Sequence, residues 1–190
     1  MSLVLSVRDT MQATLTSISN GITDFVRDVQ DSSSKWIKTW NLVVVNSQNA
    51  TMVYTGSSPN DFVKSVQMVA NNLNSYSSPN PNCSVAIEAG LLLATYASQP
   101  RSAVYLFADS DGGNDDTFVT LFSTATEYQI TLNLIGVGNT ICTAPENNGQ
   151  FPLYLQSLSA MTSGFVYMTT KPAMVSYRSH LSLQSSCECA

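Results

Sequence analysis

The stretch Ser102-Ala-Val-Tyr-Leu-Phe-Ala-Asp109-Ser-Asp111-Gly-Gly-Asn-Asp-Asp116 constrains the fold more than any other part of the chain. Its apolar run over residues 103–107 has the length and the β-branched and aromatic content of a buried strand. The run ends abruptly in an acidic loop that carries glycines. In open parallel sheets, ligands are met just past the carboxyl ends of the strands. Asp109, Asp111, Asp115 and Asp116 therefore stand where a divalent cation or a cationic partner would be encountered.

The rest of the chain supplies such a sheet. Residues 3–7 read as a buried strand. Met11, Leu15, Ile18, Ile22, Phe25, Val26 and Val29 recur at helical spacing and predict a helix to about Val29. Strands are expected over 40–45 and 50–55, and the short loop between them requires an antiparallel pair. Ser58-Pro-Asn-Asp61 opens a helix whose apolar face is Phe62, Val66, Val69, Ala70 and Leu73. A Ser/Asn/Pro loop is expected over 74–82. A helix follows over 84–98, apolar nearly all round and therefore buried. After the 103–107 strand come a helix over 118–128, a strand over 130–137, a loop over 138–150, a helix over 152–161 and a strand over 165–168. A closing helix is expected over 172–183. Strands alternating with helices around one antiparallel hairpin predict a mostly parallel sheet covered on both faces. The expectation is one domain over 1–184 with a tail over 185–190, and there is no internal repeat or linker.

Composition narrows the partners. A chain of 190 residues is long enough for one real core. Charged residues make up only 11%, against the usual ~25%, so the polar surface must be built from Ser, Thr, Asn and Gln, as in many secreted domains. The net charge is −5 and no basic cluster exists, which argues against nucleic acid. No apolar stretch is long enough to span a membrane, and no signal peptide is recognisable at the start. The chain reads as a mature form, an isoform or a piece of something longer.

Of the cysteines, Cys83 and Cys142 fall in predicted loops, which suits a disulfide. Cys187 and Cys189 lie too close together for an easy bridge to each other, and their pairing stays open. No CxxC spacing occurs, and the single histidine, His180, does not complete a zinc site. Asn49-Ala-Thr51 and Asn82-Cys-Ser84 fit the N-glycosylation pattern. Trp36 and Trp40 flank the start of the second strand and are explained by packing.

Taken in order, these elements resemble a von Willebrand factor type A domain, and look closest to the extracellular subgroup seen in hemicentin-like proteins. The carrying residues are the first strand running into Asp9-Thr10-Met11 and a long helix, and the hairpin over 40–55. With them go Asn82-Cys83-Ser-Val-Ala-Ile-Glu-Ala-Gly-Leu-Leu-Leu-Ala, Val104-Tyr-Leu-Phe-Ala-Asp109, and Tyr154-Leu-Gln-Ser-Leu-Ser-Ala-Met-Thr-Ser-Gly-Phe-Val-Tyr. The resemblance implies a Rossmann-like α/β fold: a six-stranded sheet, parallel except for one antiparallel edge strand, with helices on both faces. It also implies a disulfide between Cys83 and Cys142, hence an oxidising compartment.

The family's metal-ion-dependent adhesion site uses Asp-x-Ser-x-Ser after the first strand, a Thr before the central helix and an Asp after the fourth strand. Such hard oxygen ligands suit Mg²⁺ or Mn²⁺. Here the first motif reads Asp9-Thr10-Met11-Gln12-Ala13, without either serine, as a two-residue deletion would produce. Asp9, Thr10 and Asp109 remain as ligand candidates, and Ser77 or Ser78 could add a hydroxyl. The expectation is a degenerate site with no tightly held cofactor and at most weak Mg²⁺ or Mn²⁺. Asp109-x-Asp111-x-Gly113-x-Asp115 superficially resembles a calcium loop, but Thr120 stands where that loop needs its bidentate Glu.

The expected function is non-catalytic binding of an extracellular or matrix protein. The loops at the strand ends would do the binding, with Asp111, Asp115 and Asp116 favouring a cationic partner and Ser77 and Ser78 beside them. The competing class is a Mg²⁺-dependent phosphotransferase, because Asp109-Ser-Asp111 also resembles the nucleophile motif of the haloacid-dehalogenase enzymes. Those carry it after their first strand, and no matching lysine and distal acidic pair is found here.

Overall fold

The computed structural model describes residues 1–32, 37–77, 85–112, 117–138, 141–142 and 147–169. Its strands are β1 (Ser2–Ser6), β2 (Trp40–Val45), β3 (Ala50–Gly56), β4 (Ala103–Ala108), β5 (Thr131–Val137) and β6 (Val166–Thr169). They form one six-stranded sheet in the order β3-β2-β1-β4-β5-β6. Only the β2–β3 pair is antiparallel. This is the doubly covered, mostly parallel sheet that the alternation of strands and helices predicts.

The central strands are buried on both faces, as parallel strands must be when helices lie on each side. Every residue of β1 is buried, and its side chains alternate between two cores. Leu3 and Leu5 join the layer made with α1 (Gln12–Asp31) and α2 (Pro59–Asn71), where Leu15, Ile22, Val26, Phe62 and Val66 pack. Val4 joins the opposite layer, made with α4 (Ile87–Ala97), α5 (Phe118–Glu127) and α6 (Leu153–Met161). Trp40 is fully buried in the first layer, its ring tilted against Phe62 at 5.1 Å and edge-on to Phe25 at 6.3 Å. By contrast β3, at the sheet edge, is only half-buried.

Local chemistry sets the element ends. Ser58 caps α2 by accepting the amide of Asp61 at 3.3 Å, and Pro59 occupies the first turn, the arrangement its sequence calls for. One expectation is corrected: residues 74–76 are not loop but, with Leu73, form a single helical turn, α3 (Leu73–Tyr76). Leu73 is buried against the first core, and that burial favours a helical turn over the extended path its polar neighbours suggest. Trp36, His180, the closing helix over 172–183 and the tail over 185–190 lie outside the described residues. Among those described, no helix is long and apolar enough to cross a membrane.

Candidate binding site at the carboxyl end of the sheet

Parallel pairing of β1 with β4 brings the chain that leaves β1 beside the chain that leaves β4. Past β1, Val7 is buried and its amide continues the pairing to Val45 O at 2.9 Å. A 3-10 turn over Asp9–Met11 follows. It is pinned by Met11, which is completely buried in the first core. That turn presents Arg8 and Thr10 to Asp109, the first residue beyond β4. Asp109 is buried, 7% exposed. Its Oδ1 faces the Arg8 guanidinium, with Nη1 at 3.4 Å, and its Oδ2 accepts the hydroxyl of Thr10. A buried carboxylate without a counter-charge costs several kcal/mol; here Arg8 neutralises it.

The sequence-derived ligand set is thus only partly assembled. Thr10 and Asp109 meet. Asp9 is exposed and makes no ion pair with a described residue. Met11 and Ala13 occupy the two serine positions, one sealed in the core and the other exposed. Ser77 is half-buried; its amide closes α3 onto Leu73 O at 2.8 Å. Among the described residues its hydroxyl makes no bond to Asp9, Thr10 or Asp109. Ser78, Asn82, Cys83, Asp115, Asp116 and Cys187 with Cys189 lie outside the described residues. No group of three or more His, Cys, Asp or Glu side chains suited to a metal occurs among the described residues. A hard octahedral ion needs several oxygen ligands in good geometry. A carboxylate already facing a guanidinium and a hydroxyl, with Met11 and Ala13 in place of the serines, does not fit that requirement.

Asp111 departs from the expectation of a surface charge. It is 5% exposed and accepts Asn147 Nδ2 at 2.9 Å, so it ties its loop inward. The backbone does the same: Cys142 N donates to Asp109 O at 2.7 Å and Asp111 N to Cys142 O at 3.0 Å, an isolated parallel bridge at Ser110 and Cys142 that ties the chain leaving β4 to the segment beyond β5. Beneath this loop lies Glu88, 1% exposed, which accepts the hydroxyl of Tyr154. Gly112 has φ +84, and a Cβ there would stand 3.1 Å from Glu88 Oε2, so glycine is needed both for the left-handed backbone and for the approach.

Other organising residues escaped the sequence reading. Asn46 gathers three segments: its Oδ1 accepts the amides of Gln48 (2.9 Å) and Asn49 (3.0 Å), its Nδ2 donates to Tyr76 O (2.9 Å), and its carbonyl accepts Ala86 N (2.9 Å). Arg8 carried a signal, a cation in a chain with few, set directly before the first acidic residue of the motif. Glu88 carried one too, as the lone charge in an apolar helix. Nothing in the local sequence marks Asn46. Asn49, the described glycosylation candidate, is exposed in the β2–β3 turn.

The sheet order, the single antiparallel strand and the aspartate just past β4 agree with a match over residues 1–171 to the family model described as von Willebrand factor A domain. The chain belongs to that family. No curated protein matches it in sequence. Among solved structures, BatB from Bacteroides thetaiotaomicron superposes with a TM-score of 0.63 at 13% identity, covering 97% of each chain. Proximal thread matrix protein 1 from the mussel byssus superposes with a TM-score of 0.58 at 16% identity. A form of it described as having a zinc-occupied adhesion motif gives 0.60 at 13%. This chain is covered over 93% of its length in the first of these matches but spans only 43% of the thread protein. At such identities the likeness is one of fold. Within the von Willebrand A fold, the Arg8–Thr10–Asp109 cluster lies past the carboxyl ends of β1 and β4.

Proposed function

We propose that this domain is a non-catalytic protein-binding module of extracellular or matrix setting, akin to the hemicentin-like subgroup, with a degenerate adhesion site. The observation that carries the reading is the ion pair of Asp109 with Arg8 and its hydrogen bond from Thr10. In a von Willebrand A domain that aspartate would otherwise serve a metal-bridged contact. What remains is a stiff loop surface at the carboxyl ends of β1 and β4. Since Asp111 points inward, any cation-seeking charge on this face falls to Asp9 and, outside the described residues, to Asp115 and Asp116.

The extracellular setting is supported by the low charge content and by Asn49 standing exposed in an acceptor triplet. The thread matrix protein, by its name a matrix component, shares the fold. Cys142 is present as a half-cystine; we take its partner to be Cys83. Thiol counting on the native protein, with peptide mapping, tests that pairing, and Cys83 recovered as a free thiol refutes it.

The experiment for the binding surface compares extracellular-matrix proteins retained by the wild type, by Thr10→Trp and by Arg101→Glu at the opposite end of the sheet. A protein retained by the wild type and by Arg101→Glu but lost on Thr10→Trp supports the reading. Equal retention by all three overturns it. The phosphotransferase alternative predicts hydrolysis of a generic phosphate ester that Asp109→Asn abolishes; our reading predicts a blank assay.

A further inference from the structure

We infer that Arg8 is a resident cation that takes the place of the divalent ion at Asp109. Three observations carry this. The guanidinium lies 3.4 Å from Asp109 Oδ1, a buried oxygen that makes no hydrogen bond, so its compensation is chiefly the positive charge of Arg8. The other oxygen is satisfied by Thr10, from the same 3-10 turn. That turn is locked by Met11, whose side chain fills the core at the position where the family's pattern places the first serine. The exchange is self-consistent: losing the serine ligands removes the metal's oxygens, and a basic residue one step before the motif supplies the missing charge from within the chain.

A guanidinium is always charged and needs no free ion. With it in place, an incoming Mg²⁺ or Mn²⁺ meets a like charge and finds both Asp109 oxygens engaged. Without it, Asp109, Thr10 and the nearby Asp9 offer oxygen donors and a net negative charge. The inference deepens the reading of a degenerate site, but its test uses no partner, so either can fail while the other stands.

The test is thermal unfolding with EDTA or with Mn²⁺, together with uptake of Mn²⁺ followed by loss of the free-ion electron-spin resonance signal. The proteins are the wild type, Arg8→Ala, Arg8→Gln, Asp109→Asn and the Arg8→Ala/Asp109→Asn pair. The wild type should take up no Mn²⁺ and unfold at one temperature in both media. Arg8→Ala should unfold several degrees lower in EDTA, recover part of that loss in Mn²⁺ and take up the ion. Adding Asp109→Asn should abolish the uptake and relieve much of the destabilisation. Arg8→Gln, which keeps more of the side chain's packing, serves in the same role should the alanine variant fail to fold. Mn²⁺ uptake by the wild type that Asp109→Asn removes would overturn the inference. So would arginine variants that are as stable as the wild type, or that are destabilised yet take up no Mn²⁺, which would leave Arg8 an ordinary ion-pair partner.

Discussion

At the scale of single residues, much rests on side chains that hold backbone. Asn46 makes three side-chain hydrogen bonds that join the β2–β3 turn to the end of α3. At roughly 1 kcal/mol each, Asn46→Ala should lower stability by about 2–3 kcal/mol in urea unfolding. Amide exchange should speed up at Gln48 and Asn49 first; an unchanged midpoint would contradict this. Asp61 gives a pH prediction. The Ser58 hydroxyl, and then Lys64, hold its carboxyl below the usual value. Its contribution is therefore complete above the unfolded-state value and fades as pH falls through the lower folded value. The stability difference between wild type and Asp61→Asn should shrink below about pH 4, and a difference that grew on acidification would refute it. Residue roles were unevenly legible in the sequence. Asp109 was found because it ends an apolar strand at a position the family pattern names, and Thr10 only as a hydroxyl within the altered motif. Arg8 as counter-ion and Asp111 as an inward tie were not, because both depend on contacts made across strands distant in sequence.

At the scale of elements, the strands and helices were readable almost throughout, because each carries its period plainly: β1, β2, β4 and β5 as apolar runs, α1 and α2 as stripes. The miss at α3 shows the limit, since its four residues are too short for a period and one buried leucine decides the outcome. Two helix glycines make opposite predictions from one principle. Gly21 in α1 is exposed and a Cβ there meets nothing within 4 Å, so Gly21→Ala should stabilise by about 0.5–1 kcal/mol. Gly90 in α4 lies against the sheet, where a Cβ would collide with Val45 and stand 3.2 Å from Val4 Cγ1. Gly90→Ala should destabilise by about 1–3 kcal/mol despite its better helix propensity. Pairing it with Val45→Ala should cost less than the sum of the two single changes, and strict additivity in denaturant unfolding would count against close approach as the cause.

At the scale of the whole molecule, one sheet sandwiched by helices accounts for both the two apolar cores and the placement of the candidate site, and this architecture follows from the order of elements. What order alone does not convey is how the loops at one end are held. The isolated parallel bridge between Ser110 and Cys142 ties the chain leaving β4 to the segment beyond β5. Its consequence concerns the speed of recognition. Backbone already hydrogen-bonded in the free protein loses little conformational freedom when a partner arrives, so the buried residues 109–111 act as a rigid base for the exposed edge beside them at Asp9 and Thr10, rather than as a segment that must first find its shape. Association through that edge should proceed at a rate governed by collision and orientation, with a single kinetic phase whose observed rate rises linearly with partner concentration.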